Sequence, residues 1–203
     1  LTIVMAAFNC AAEELSIRNP LIGMEKPPQR PRLLSFSPDD EQQLYSATDQ
    51  CFGEFLFACI HTGLRPYCEL ARMTVGHVLE TDRGMQWRVE SSKTGKTRVI
   101  PVRHEVAELT RQRIEDVGPD SEAVLFRSSR GGAWKKGTGV QRFRRIREVL
   151  QWNADPLRKQ YSSYICRHTF AHRMLAGYWN GGQGCSIEVL AELMGDTPKV
   201  AFD

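Results

Sequence analysis

The chain has 203 residues, 41% of them hydrophobic, enough to bury one full core of about 150 to 200 residues with a small appendage. Its 27 lysines and arginines against 24 acids leave a net charge of only +3, so charge alone announces no nucleic-acid partner, and no run approaches the roughly 18 apolar residues of a membrane span. Six cysteines with no CxxC spacing, and no histidines at zinc-finger intervals, argue against a disulfide scaffold or a metal site and for a reducing cytoplasm.

In chain order, residues 1 to about 17 read as one amphipathic helix. LTIVMAAFNCAA lacks the basic lead of a signal peptide and is followed at once by Glu13 and Glu14. Arg18-Asn19-Pro20 closes it. From Gly23 to Arg32, Pro27, Pro28 and Pro31 stand among charges and describe a semi-rigid extended linker. Ser37-Pro38-Asp39-Asp40 is a helix start, with a serine cap, proline at the first position and acids where the helix dipole favours them. Helices are predicted over about 38–48 and 50–62. Gly63 stops the second and leaves Arg65 at a sharp turn where a side chain can be aimed. A short helix carrying Glu69, Leu70 and Met73 follows. Strands at about 78–80, 86–91 and 97–102 then form a small antiparallel meander, with Lys93 and Lys96 at the tip of its glycine-turned hairpin. The TGKT there is not a nucleotide loop: Glu90 stands where that loop needs glycine, and Arg98-Val99-Ile100-Pro101 is no helix.

His104 to Val117 is a helical run ended by Gly118-Pro119. Ala123 to Phe126 is a short apolar piece, and the glycine-rich stretch from Arg127 to Gly139 reads as a flexible basic loop. VQRFRRIREVL, Val140 to Leu150, places Val140, Phe143, Ile146 and Leu150 on one helical face and Arg142, Arg144, Arg145 and Arg147 around the other. With Lys135 and Lys136 before it, this helix is expected to lie on DNA phosphates; the alternative is an ordinary solvated face. Tyr164 to Gly177 reads as a helix with Ile165, Phe170 and Leu175 at roughly helical spacing beside Arg167. An arginine next to a buried face needs an anion, either a neighbouring carboxylate or a bound phosphate, because unpaired donors away from water cost several kcal/mol.

TGLRP at Thr62 to Pro66, the SKTGKTRVIPV hairpin at Ser92 to Val102, RHTFA at Arg167 to Ala171 and EVLAELMGDT at Glu188 to Thr197 stand in an order and at intervals that resemble the tyrosine recombinase (phage integrase) family. The resemblance implies a mainly α fold with a small antiparallel β-sheet (α+β). Residues 1–19 would be the last helix of an N-terminal core-binding domain, 20–33 a linker, and 34–203 a catalytic domain that stops before the family's nucleophilic tyrosine. It implies a site-specific DNA recombinase or integrase that cuts and rejoins strands through a 3′-phosphotyrosine, with no metal and no cofactor. The partners would be double-stranded DNA and other copies of the chain, a tetramer in the synaptic complex, in the cytoplasm and away from membranes.

Residue by residue, the resemblance makes Arg65 and Arg167 the clamp on the phosphate's oxygens and Lys93 the group that protonates the leaving 5′-hydroxyl. Glu69 would support them, although the family places its acid one residue earlier, so the backbone around Cys68 is expected to bulge or twist. Tyr164 stands where the family has histidine or lysine, and His168 is expected to be a hydrogen-bonded packing residue. Asp196 stands in place of histidine or tryptophan. Ionised, it repels a phosphate, so it is expected to be protonated, to orient a neighbour, to leave this chain weaker than its relatives, or to cap its helix. None of the five tyrosines, Tyr45, Tyr67, Tyr161, Tyr164 and Tyr178, falls in the nucleophile's register just beyond Asp203, so the chain as it stands is expected to bind DNA without cleaving it. Tyr164 and Asp196 keep open a non-catalytic DNA-binding relative, and a type IB topoisomerase-like enzyme would share the chemistry.

Overall fold

A computed structural model describes residues 2–24, 34–90 and 97–198 of the chain. The chain divides into two compact units, Leu1–Arg32 and Leu33–Asp203. In the first, helix α1 (Thr2–Glu14) ends three residues before its predicted close. Asn19 is buried there; it donates to Asn9 Oδ1 at 2.5 Å and accepts from the Leu21 N–H at 2.8 Å, which folds the chain after α1 back on the helix.

The second unit holds the core. Helix α2 (Pro38–Ser46) begins as its sequence dictates: the Ser37 hydroxyl accepts from the Asp40 N–H, and the Asp40 carboxylate accepts from the Ser37 N–H. Helix α3 (Gln50–Thr62) is capped by Asp49 and buries Phe52, Phe55, Leu56 and Ile60. It ends at Gly63 with φ +66°, and a Cβ there would lie 2.3 Å from the Phe170 ring. Conformation and space therefore both demand glycine at this position.

The short helix expected after Arg65 is smaller than predicted, one 3₁₀ turn at Leu70–Arg72. The residues before it form a widened turn in which the Leu70 N–H reaches Arg65 O at 3.1 Å and the Ala71 N–H reaches Pro66 O at 2.9 Å. Such five-residue spacing holds one residue more than an α-turn. The twist anticipated around Cys68 takes this form, with Glu69 just outside the 3₁₀ turn at φ −121° and ψ −72°.

Strands β1 (Val78–Thr81), β2 (Gly84–Glu90) and β3 (Thr97–Pro101) pair antiparallel in that order. Trp87 stands opposite Val78 on one side and Ile100 on the other. The period of two turns Met85, Trp87 and Val89 inward, and it puts Arg98 on the inward face with Ile100. Helix α4 (His104–Val117) keeps its predicted bounds.

Two expectations for the next stretch are corrected. Residues 127–139 are not an open loop: Arg127 pairs with Ala133 in an antiparallel bridge, and Trp134 is buried against Phe52 at 4.8 Å between ring centroids. Helix α5 (Lys136–Val149) starts inside that stretch, and Val140 is 53% exposed instead of facing the core. Gly139 takes the inward position, because a Cβ there would stand 2.1 Å from the Tyr67 hydroxyl. The buried face is thus Gly139, Phe143 and Ile146.

Helix α6 (Ile165–Leu175) packs on α3, and the buried Phe36 N–H donates to Thr169 Oγ1 at 2.9 Å. Its apolar face includes Ile165 and Phe170 as expected, but Leu175 is exposed, since the helix ends there. An aromatic group of Phe36, Trp152 and Tyr161 closes the base of the core, with Phe36 and Tyr161 edge to face at 4.9 Å. Helix α7 (Ile187–Met194) follows, capped by Ser186.

Candidate active site

The ends of two glycine-terminated helices, the first turn of a third helix and one strand bring the site together. Arg65 follows the Gly63 stop of α3, Arg167 sits in the first turn of α6, Arg98 lies on the inward face of β3, and Asp196 follows the Gly195 stop of α7. The end of α7 closes in a Schellman pattern, with the Gly195 N–H on Glu192 O and the Asp196 N–H on Ala191 O. Gly195 has φ +64°, and a Cβ on it would come within 2.6 Å of Arg98 Nη1.

Arg167 is buried, its side chain 3% exposed. Its guanidinium donates to Gly63 O at 2.5 Å, to Met194 O at 2.8 Å and to Asp196 Oδ2 at 2.5 Å. The two carbonyls come from the ends of α3 and α7, where helices leave backbone acceptors unfilled and cations are favoured. Arg65 donates through Nη1 to Glu69 Oε1 at 2.8 Å and through Nη2 to Asp196 Oδ1 at 2.5 Å, while its N–H donates to Glu69 Oε2 at 2.8 Å. Arg98 forks onto both oxygens of Glu69 at 3.1 Å and donates through Nε to Leu193 O at 3.0 Å.

The result is a chain of charges running Arg98, Glu69, Arg65, Asp196, Arg167: three guanidinium groups and two carboxylates, leaving one net positive charge. Burial works to push the Glu69 carboxyl up, but the Arg98 hydrogen bonds, the Arg65 N–H and both positive charges outweigh it, and its pKa lies below the usual carboxylate range. Burial opposes the charge of Arg65 as well, yet Glu69 and Asp196 hold its pKa above the ordinary guanidinium value. In Arg167 burial wins: the pKa falls below the ordinary value although Asp196 opposes the fall.

Of the site residues predicted from sequence, Arg65, Arg167, Glu69 and Asp196 are brought into direct contact. Tyr164 stands at the start of α6, half exposed. His168 differs from its expectation: the residue as a whole is exposed, although its ring lies edge-on to Tyr164 at 5.6 Å and is shielded in part. Desolvation, then the charge of Arg167, lower its pKa from the ordinary imidazole value. Lys93 lies outside the described residues.

The basic surface residues are a separate group. Lys135, Lys136, Arg144 and Arg145 are exposed, and Arg144 pairs with Glu148 along α5 at 3.0 Å. Arg142 is half-buried, ion-paired with Asp49 and laid over the Trp134 ring. A cleft of about 470 Å³ opens among Arg130, Lys135, Arg142 and Arg145, with Trp134 in its wall.

The residue that sequence reasoning missed is Arg98. Its signal was available: alternation along β3 places it two residues from the inward Ile100, so it had to face inward and find a carboxylate.

The Phage integrase family profile matches residues 26–195, and the chain belongs to that family. No functionally curated protein matches it by sequence. Among solved structures, lambda integrase as a dimer bound to a COC′ core site superposes with a TM-score of 0.69 at 18% identity, over 100% of this chain and 57% of that one. The Tn1549 transposon integrase in complex with transposon right end DNA gives 0.66 at 22% identity, over 98% of this chain and 70% of that one. XerA recombinase gives 0.61 at 19% identity, over 98% of this chain and 67% of that one. The chain thus spans little more than half of the lambda protein, and at these identities the likeness is one of fold: a mainly helical tyrosine recombinase catalytic fold with its small antiparallel sheet.

Proposed function

We propose that the chain is the DNA-joining part of a site-specific recombinase or integrase. The observation that carries this is the convergence of Arg65 and Arg167, from two different helix ends, on the two oxygens of one carboxylate. A seat of that form matches the equatorial oxygens of a phosphodiester under attack. A tyrosine hydroxyl attacks the phosphorus, the bond to the 5′-oxygen breaks, and a 3′-phosphotyrosine keeps the strand for rejoining. Arg65 and Arg167 stabilise the added negative charge, Glu69 holds Arg65 in place, Lys93 gives the 5′-oxygen its proton, and Tyr164 donates to a phosphate oxygen.

Lys135, Lys136, Arg142, Arg144 and Arg145 meet the DNA backbone, with release of counterions on binding. Duplex DNA and further copies of the chain are the partners, as in the lambda integrase dimer on its core site and the lambda integrase tetramer on a Holliday junction. No described helix is long and apolar enough to cross a membrane, and the cytoplasm is the compartment proposed.

The test is covalent trapping. A chain extended past Asp203 is mixed with a nicked duplex carrying its own element's junction, and protein joined to DNA is measured. Arg167→Ala is expected to cut adduct formation about 10²- to 10³-fold while leaving salt-dependent duplex binding in place. An unchanged adduct yield refutes the catalytic assignment. A non-catalytic DNA-binding relative is the second reading, favoured by one observation: Asp196 fills the seat that a phosphate would need. Tight binding by the extended, unsubstituted chain with no adduct selects it.

A further inference from the structure

The seat between Arg65 and Arg167 already contains an anion, and the chain supplies it itself. Each carboxylate oxygen of Asp196 takes one guanidinium donor at 2.5 Å, so the residue spans the gap as a bidentate oxyanion would. The two arginines do not depend on it for their positions. Arg167 is fixed by Gly63 O and Met194 O, and Arg65 by Glu69, which Arg98 locks in turn. The backbone of Asp196 is tied into the end of α7, but its side chain, 15% exposed against 3% for Arg167, reaches solvent and can turn away without unwinding the helix.

We infer that Asp196 is an internal counter-ion that holds the two-arginine seat closed to free anions, and that a tetrahedral oxyanion enters only by exchanging with it. The residue is thereby a specificity determinant. Dissolved phosphate or sulfate competes poorly with a carboxylate tethered at the seat, because tethering gives it a high effective concentration. A phosphodiester presented by DNA already bound along the basic surface has the same advantage and displaces it. This last step rests on the function proposed above; the occupancy of the seat by Asp196 does not.

The test uses inorganic phosphate on the whole chain at constant ionic strength, with sodium chloride as the balancing salt. Thermal unfolding is followed for the wild type, Asp196→Asn and Asp196→Asn/Arg65→Gln. Asp196→Asn is expected to melt lower without phosphate and to show a saturable phosphate stabilisation at least tenfold tighter than the wild type, lost again in the double variant. Equal phosphate responses in wild type and Asp196→Asn overturn the inference.

Should the Asn variant fail to fold, the wild type answers alone by NMR. Phosphate is expected to move the Asp196 side-chain carboxyl ¹³C signal together with the Arg167 Nε signal. Movement of the arginine signal without the carboxyl signal overturns the exchange. A positive phosphate result beside a negative covalent-trapping result removes the recombinase reading and leaves the internal counter-ion standing; the reverse pattern removes the counter-ion alone.

Discussion

Glu69→Gln probes the charge chain at its most buried member. The Glu69 side chain is 1% exposed and accepts from the Arg65 N–H and Nη1 and from Arg98 Nη1 and Nη2. Glutamine keeps the volume but turns one acceptor into a donor aimed at other donors, and leaves two guanidinium groups facing each other without their shared anion. Removing one partner of a buried pair costs about 3–5 kcal/mol. Arg65 and Arg98 retain some solvent and Arg65 keeps Asp196, which places the expected loss at the lower end, about 3 kcal/mol. For a chain of this size that is a fall of about 6–12 °C in Tm. Urea unfolding followed by circular dichroism measures it, with an unchanged m-value showing that the folded state is intact. The sign with pH follows from the lowered Glu69 pKa: its contribution is present above the unfolded value and is lost as pH falls through the folded one, so the gap between wild type and variant narrows in acid. A cycle with Arg98→Met should show coupling of about 2 kcal/mol. A loss under about 1 kcal/mol, or strictly additive effects, would show that the network contributes little and refute the reasoning.

Two further outcomes are expected. Glu41 accepts from the Tyr45 hydroxyl at 2.6 Å and is ion-paired with Arg173 Nη2 at 2.5 Å, with His61 Nε2 at 3.5 Å. Burial pushes its pKa up, but these partners hold it at about 2. The folded value is depressed, so this stability is complete above the ordinary carboxyl pKa and disappears as pH falls toward 2; Glu41→Gln should flatten the acid limb of the urea-derived unfolding free energy against pH by about 2–3 kcal/mol, allowing for residual solvent. Gly63→Ala forces a side chain into a left-handed residue and against Phe170, and should cost about 3 kcal/mol in the same unfolding assay; a cost under about 1 kcal/mol would mean that α3 and α6 give way easily where they meet.

What could be read from sequence was what neighbouring residues decide. The Ser37 cap, the Gly63 stop and the bounds of α3 and α4 follow from local hydrogen bonding and glycine's freedom, and the structure places them as read. The start of α5 was misjudged because Gly137 and Gly139 look like loop residues; what makes Gly139 helical is the Tyr67 ring lying where its side chain would be, a contact across 72 positions of sequence. For the same reason Gly139 takes the inward place read for Val140, while Phe143 and Ile146 stay buried as read. Arg98 is the instructive case within the site. The motif comparison assigns it no role, whereas the alternation of β3 makes it an inward charge.

Asp196 shows where motif comparison stops and electrostatics continues. The resemblance places a neutral ring there, and on that basis an ionised carboxylate looks like a defect, because it repels phosphate. The geometry reverses the argument. Arg65 and Arg167 both donate into one small seat, and burial first, then the charge of Arg65, lowers the pKa of Arg167, so a resting chain without an anion between them bears a repulsion that burial magnifies. A chain with a neutral residue at that position must take its anion from solution; this one carries it. The substitution thus moves free energy from ligand binding into folding, so that Asp196→Asn should lose stability and gain affinity for a phosphate together, two changes that a simple loss of packing would not link.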